Sequence, residues 1–419
     1  MLNPRFIYTA VLWLLLPYVL FHLLWRARKQ PEYLQHIPER FGFFPIRVNK
    51  PVIWLHTVSV GETRAAASLI QRLAKIYPTH QILLTHTTPT GRAASEQLYG
   101  DRVKRVYLPY DYPSAVRSFL RHFKPAIGIL LETEIWFNLI HFCRENNTPL
   151  LLLNARLSEK SASRYARFPK LTQQGLHELT SIAAQTREDA ARLQTLGAPS
   201  VSIMGNLKFD IVPPAAMLEL GKQLREQLGN YRNIFLAAST REGEEALLLD
   251  ELKNLAIPNL LTIIVPRHPQ RFDEVATLIQ QAGFSYQRRS QNIEVSADTK
   301  IILGDSMGEM FAYYTACDIA FIGGSLLPFG AQNLIEACAV GKPVLIGPHT
   351  YNFSQAAEQA IACGAAKRVH NAFELCSVLA ELFSDEAGRN LMAQAGLHFV
   401  EENQGATHIA LQQIAIALK

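Results

Sequence analysis

The chain lacks the short motifs that mark most nucleotide and metal enzymes. No G-x-G-x-x-G follows an apolar run, and neither G-x-x-x-x-G-K-[ST] nor H-E-x-x-H occurs, so dehydrogenase, P-loop NTPase and zincin chemistries have no motif to stand on. No D-x-D is present, which argues against a donor diphosphate held through a metal by that motif. The five cysteines include no C-x-x-C pair; their odd number and apolar surroundings read as buried thiols of a reducing compartment. No basic run is interleaved with aromatics, and no tract is repeated or low in complexity, so nothing indicates nucleic-acid binding. What is there is a globular composition, 48% hydrophobic over 419 residues, enough for the cores of two or three domains. The net charge of +5 suits an acidic membrane surface or a phosphorylated substrate.

Charge is also missing from residues 6–25, FIYTAVLWLLLPYVLFHLLW, which hold no Asp, Glu, Lys or Arg. That length matches one bilayer crossing. A cleaved signal peptide fits less well, because the run outlasts a typical h-region and no A-x-A-like site follows. Arg26, Arg28, Lys29, Arg40, Arg47 and Lys50 follow the segment, against Arg5 alone before it, so the positive-inside bias puts the bulk of the chain in the cytoplasm behind a single-pass anchor. Pro17 and His22 interrupt the apolar face and leave a flat, interfacial placement open. A segment that only anchors leaves both domains intact when removed.

Short apolar runs then alternate with helix-like stretches, the pattern of parallel sheets. The first series is 51–56, 81–87, 103–109, 126–132, 150–155, 181–186 and 201–206; Val212-Pro213-Pro214 breaks it; a second series follows at 233–239, 260–266, 300–305, 319–324 and 343–348. The expectation is α/β: an anchor over 1–30 and two doubly wound domains, 31–212 and 213–419, facing a cleft, with an amphipathic final helix in the second.

The candidate chemistry sits where these strands end. In 318–352, Gly323, Gly324 and Gly330 let the backbone pass close to a ligand, a helix starting near Asn333 offers N–H groups to a phosphate, and Glu336, one turn in, can accept from a ribose diol. Many α/β folds carry such a unit without a nucleotide. In WLHTVSVGET, Glu62 opens a helix after a strand, where the helix dipole keeps it ionised at neutral pH and available as a general base; an ordinary helix-start Glu has the same signature. Glu132 and Glu134 end another strand and alternate across it, which makes a shared metal site doubtful. Arg267 and His268 follow a second-domain strand, where an arginine can hold a phosphate by two donors. Lys208 lies beside the linker, and 304–311, GDSMGEMF, forms a further strand-end turn.

These residues resemble the Kdo transferase family of lipopolysaccharide assembly, inverting glycosyltransferases of GT-B architecture with two Rossmann-like domains. The motifs run in order over nearly the whole chain: WLHTVSVGE, LTHTTPTG, LPYDYP, ETEIWFNLI, NARLSEKS, GNLKFD, VPRHPQRF, GDSMGE, GGSLLPFGAQN and GPHTYNF. The resemblance implies transfer of 3-deoxy-D-manno-oct-2-ulosonic acid (Kdo) from CMP-Kdo to a lipid A precursor (lipid IVA), a CMP-Kdo:lipid A Kdo transferase at the bacterial inner membrane that needs no cofactor and no metal in its site. It makes Glu62 the catalytic base, gives Glu132 and Lys208 transition-state stabilisation, and makes Pro266, Arg267, Met307, Gly308, Glu309, Asn333, Leu334, Ile335 and Glu336 the CMP-contacting positions. The implied partners are CMP-Kdo, the lipid acceptor and inner-membrane lipids, with no nucleic acid. One departure stands out: the family commonly shows G-G-H-N where this chain has Gly330-Ala331-Gln332-Asn333, and Gln332 cannot carry an imidazolium's charge. The rivals are a non-hydrolysing nucleotide-sugar epimerase, soluble and so at odds with residues 6–25, and a non-catalytic membrane scaffold, which has no need of charged groups at strand ends in both halves.

Overall fold

The structure, a computed structural model, describes residues 3–419. It divides into two compact units, Met1–Asp210 with Asn403–Lys419, and Ile211–Glu402. Each is built on a seven-stranded sheet of parallel pairs.

In the first unit the strands are β1 (Val52–His56), β2 (Gln81–His86), β3 (Lys104–Tyr107), β4 (Pro125–Leu131), β5 (Leu150–Ala155), β6 (Ser181–Ala184) and β7 (Ser202–Ile203). Their order is β3-β2-β1-β4-β5-β6-β7. The order reverses between β1 and β4, the topological switch point outside which open α/β sheets bind ligands. All five residues of β1 are buried, which is why it reads as a continuous apolar run rather than an alternating one.

In the second unit they are β8 (Asn233–Thr240), β9 (Leu260–Pro266), β10 (Tyr286–Arg288), β11 (Ile301–Leu303), β12 (Ile319–Ile322), β13 (Val344–Ile346) and β14 (Ala366–Arg368). The order is β10-β11-β9-β8-β12-β13-β14, with the switch between β8 and β12. The two outermost strands, β10 and β14, were not expected. Their sequences, YQR and AKR, are half-buried and polar, so edge placement leaves them no apolar signature.

Two expectations change. The final helix, Ala406–Ala417, belongs with the first unit rather than the second: Ala406, Ala410 and Ile414 enter the cluster that holds Ile53, Leu55 and Leu69, and Asp210 caps the helix by accepting from the N–H groups of Gly405 and Thr407. Of the cysteines, Cys143, Cys317, Cys338 and Cys376 are buried, but Cys363 is exposed. It ends a helix, Ser354–Ala362, as the cap residue, where the side chain meets solvent despite apolar neighbours in sequence.

Candidate functional site

In the first unit the candidate residues gather at the switch point. Glu62 follows β1 in the short helix Val60–Ala65, whose N-cap is Ser59. Its carboxylate accepts from the Val58 N–H at 2.7 Å and the Ser59 hydroxyl at 2.9 Å. Glu132 comes directly after β4, the neighbour of β1, at φ 60°. The strand therefore ends there, and the alternation expected for Glu132 and Glu134 does not apply. Lys208 Nζ lies 3.9 Å from the Glu132 carboxylate. Asn154, at the end of β5, holds this lysine's turn by accepting from the Leu207 N–H at 3.0 Å, and Asn206 accepts from the N–H of Lys208 itself.

The electrostatics differ from the sequence expectation. Burial, and next the Glu132 charge, push the Glu62 carboxyl up to about 7, against the pull of the Val58 and Ser59 donors. The dipole of a single short helix is too weak to offset desolvation at 8% exposure. Glu62 is thus a carboxylate poised near neutrality, where a general base works best. Sequence reasoning missed His56. Its Nδ1 lies 3.1 Å from the Thr85 carbonyl and 2.9 Å from the Thr85 hydroxyl, and its Nε2 is 3.7 Å from the Glu134 carboxylate. Trp136 Nε1 donates to the same carboxylate at 2.6 Å. The signal was present as a polar residue at the end of an otherwise apolar strand.

Beside these residues the first unit has an apolar cavity of about 840 Å³, with Thr133, Phe137, Tyr165 and Leu171 in its wall and Arg164 and Lys170 among its polar lining residues.

In the second unit the residues lie along the sheet's C-terminal edge. Pro266 ends β9, and Arg267 follows, its N–H donating to the Thr240 carbonyl and its Nε donating to Gln332 Oε1 at 3.1 Å. Gln332 therefore orients the arginine as an acceptor, which a protonated imidazole could not do. His268 is held below its usual pKa by burial and by the cations Arg241 and Arg267. After β11 come Met307, half-exposed, Gly308 at φ 83°, and Glu309, which accepts from the Ser306 hydroxyl at 2.6 Å. Asn333 accepts from the Ile335 N–H at 3.1 Å and donates to Glu336 at 3.2 Å. Leu334 and Ile335 bury their side chains completely, so they face a ligand only with their backbone.

The glycine loop does something other than expected. Glu244, fully buried at the start of the Glu244–Leu252 helix, accepts from the N–H groups of Gly324, Ser325 and Leu326 at 2.6–3.0 Å and from that of Arg241 at 2.9 Å. The loop's N–H groups cradle the chain's own carboxylate. A Cβ on Gly323 would come within 2.6 Å of the Ser239 and Thr240 backbone, and one on Gly330 within 2.4 Å of Asn352 and Tyr351, so these glycines admit protein rather than ligand. The helix expected near Asn333 is only the single turn Ile335–Cys338. Ala331, where the family commonly has glycine, sits at φ 66° and 1% exposure.

The fold is of the GT-B type. A glycosyltransferase from Rickettsia africae superposes with a TM-score of 0.58 at 16% identity over 89% of this chain and all of that one. The UDP-GlcNAc 2-epimerase of Neisseria meningitidis, bound to UDP-GlcNAc, superposes with a TM-score of 0.58 at 17% identity over 87% of this chain and 99% of that one. The fold alone thus does not separate transferase from epimerase; sequence does. Residues 35–211 match the family model for 3-deoxy-D-manno-octulosonic-acid transferase. The chain is 40% identical to the 3-deoxy-D-manno-octulosonic acid transferase of Bordetella pertussis, over 98% of both chains, and 36% identical to that of Haemophilus influenzae, over 99% of this chain and 98% of that one. The chain belongs to the Kdo transferase family.

Proposed function

We propose that this chain transfers Kdo from CMP-Kdo to a lipid A precursor such as lipid IVA, with inversion at the anomeric carbon, Glu62 as general base and no metal in the site. The observation that carries this reading is the Glu62 carboxyl, raised to about 7 beside the Glu132–Lys208 pair. An acceptor hydroxyl oxygen attacks the anomeric carbon of Kdo, its proton passes to Glu62, and the bond from that carbon to the CMP phosphate breaks with its electron pair leaving on the phosphate. Lys208 and Glu132 stabilise the charge that develops in the transition state. Arg267, oriented by Gln332, faces the leaving phosphate, and Glu336 the ribose diol. Pro266, the Met307–Gly308–Glu309 turn and the backbone of Asn333, Leu334 and Ile335 complete the donor side.

The apolar cavity of the first unit, with Arg164 and Lys170 in its lining, favours an acceptor that carries both hydrocarbon and phosphate. Such an acceptor is held by the membrane, and the N-terminal helix Pro4–Ala27, long and apolar enough to cross one, keeps the enzyme beside it. We place the catalytic units on the cytoplasmic side of a bacterial inner membrane. Mass spectrometry of the product formed from CMP-Kdo and tetra-acylated lipid A precursor tests the reading. The acceptor's mass rises by whole Kdo units with the parent protein and stays unchanged with Glu62→Gln; an unchanged acceptor with the parent protein, or a normal yield with the variant, overturns it.

A further inference from the structure

The N-terminal helix is long and apolar enough to cross a bilayer, yet one of its faces packs against the rest of the first unit near both of its ends. Leu23 and Ala27 are buried and residues 4, 5, 8, 9, 12, 16, 19 and 22 are partly covered, positions that fall along one side of a helix. At the N-terminal end this side is bonded to the unit by polar groups. Arg5 Nη1 and Thr9 Oγ1 donate to Asn138 Oδ1 at 3.3 and 3.1 Å, and Tyr8 Oη donates to Asp111 Oδ2 at 2.9 Å. Tyr112 Oη donates to the Leu12 carbonyl at 2.9 Å, and its ring meets that of Trp13 at 4.7 Å. Asp111 is no incidental partner: it also accepts from the N–H groups of Asn138 and Leu139 at the start of the Phe137–Glu145 helix. At the other end Leu23 and Ala27 bury against Tyr33, and His22 and Arg26 line a small cavity together with Arg40, Thr87 and Tyr110.

The helix has 24 residues and is therefore about 36 Å long. In a spanning helix one end leaves the protein and lies about 30 Å away across hydrocarbon. Here both ends touch the same compact unit. The opposite face is what a lipid surface takes: Phe6, Leu14, Tyr18, Phe21 and Leu24 are 58–80% exposed. Cations stand at both ends, Arg5 before the apolar run and Arg26, Arg28 and Lys29 after it. The exposed segment with Arg164, Arg167 and Lys170 flanks the helix, since Arg164 and Lys170 share a cavity wall with Ile7 and Val11. Arg40 does not belong to this set: at 3% exposure it donates to the Thr87 carbonyl and lies 3.9 Å from the Tyr107 ring centre.

We propose that the N-terminal helix lies in the plane of the membrane interface, docked lengthwise on the first unit with its outer face among acyl chains and its flanking cations on anionic headgroups, and does not span the bilayer. An amphipathic helix in this position buries its apolar face about 5–10 Å deep, and each flanking cation is attracted to an anionic surface. The proposal is independent of the reaction chemistry.

The exposed Cys363 provides an internal reference for a topology test on the full chain. Asn3→Cys places a second thiol at the exposed cap of the helix. Right-side-out and inverted membrane vesicles are treated with a membrane-impermeant maleimide, and labelling at positions 3 and 363 is read by mass spectrometry. The in-plane helix gives both labels in the same vesicle orientation; labels in opposite orientations overturn the proposal. A second readout is depth. Quenching of Trp13 and Trp25, each read as the difference between the parent and the variant with that residue changed to Phe, by lipids brominated at successive carbons gives one shallow optimum for both. A spanning helix separates these residues by about 18 Å in depth, so two distinct optima also overturn it.

Discussion

Two buried glutamates occupy equivalent places in the two units, and they differ in how many fixed donors each accepts from. Glu62 stands in the helix after β1 and Glu244 in the helix after β8, each beside its sheet's switch point. Glu244 accepts from four backbone N–H groups and is a structural clamp on the loop after β12. Glu62 accepts from one N–H and one hydroxyl and has a second carboxylate as neighbour. Burial raises the pKa of both. The number of fixed donors is the difference: a carboxylate saturated with backbone N–H groups has no lone pair to offer a substrate proton, and one with two donors does.

The largest effect separates the two by activity. Glu62→Gln keeps the shape and removes the proposed base, so turnover falls by about two to four orders of magnitude while CMP affinity, read by calorimetry, stays as it was. Near-normal turnover would sink the assignment of the base. Glu244→Gln separates them by stability: an amide presents an N–H to the N–H groups of Gly324, Ser325 and Leu326, and the mismatch costs about 2–4 kcal/mol in the denaturant unfolding of the second unit. The Glu62 variant shows no such loss.

The comparison sharpens with pH. The folded Glu62 pKa, about 7, lies above the unfolded carboxyl value of about 4.3, so the ionised base costs stability. That cost is absent below about pH 4.3, grows as pH rises toward 7, and is complete above it. Relative to the parent, Glu62→Gln therefore gains about 2 kcal/mol in unfolding free energy between pH 5 and pH 8. Activity runs the opposite way: kcat/KM of the parent falls as pH drops through about 7. With the neighbouring charge removed in Glu132→Gln, this acid limb moves to lower pH; a limb that stays in place means that another group controls it.

On the donor side, Arg267→Ala and Glu336→Ala each weaken CMP binding by about 1–3 kcal/mol, and unchanged affinity in both variants rejects the donor site in the second unit. The smallest expected effect is at Ala331, at φ 66°. A left-handed non-glycine residue costs about 1 kcal/mol, so Ala331→Gly raises the unfolding free energy by about that much and leaves turnover unchanged.

Much of this was legible from residues alone. The buried strands announced themselves because a parallel sheet covered on both faces needs unbroken apolar runs, as in VIWLH and IAFI. The edge strands YQR and AKR did not, since an edge leaves half the strand in solvent. Glu62, Glu132 and Lys208 were found through the resemblance of their motifs; their local sequence carried little, because a helix-start glutamate and a loop lysine are common.

The sequence by itself determined the two α/β halves, the break near residue 212, the long apolar segment over residues 6–25 and the family. Tertiary structure alone decided which apolar face is covered and which carboxylate is saturated. It turned the glycine loop inward onto Glu244, laid residues 4–27 along the first unit instead of away from it, sent the final helix back to that unit, and raised the Glu62 carboxyl toward neutrality. Each of these depends on groups far apart in the chain, such as Tyr8 with Asp111 and Glu244 with Gly324. Desolvation and donor count belong to a place in the fold, and no local window of sequence contains them.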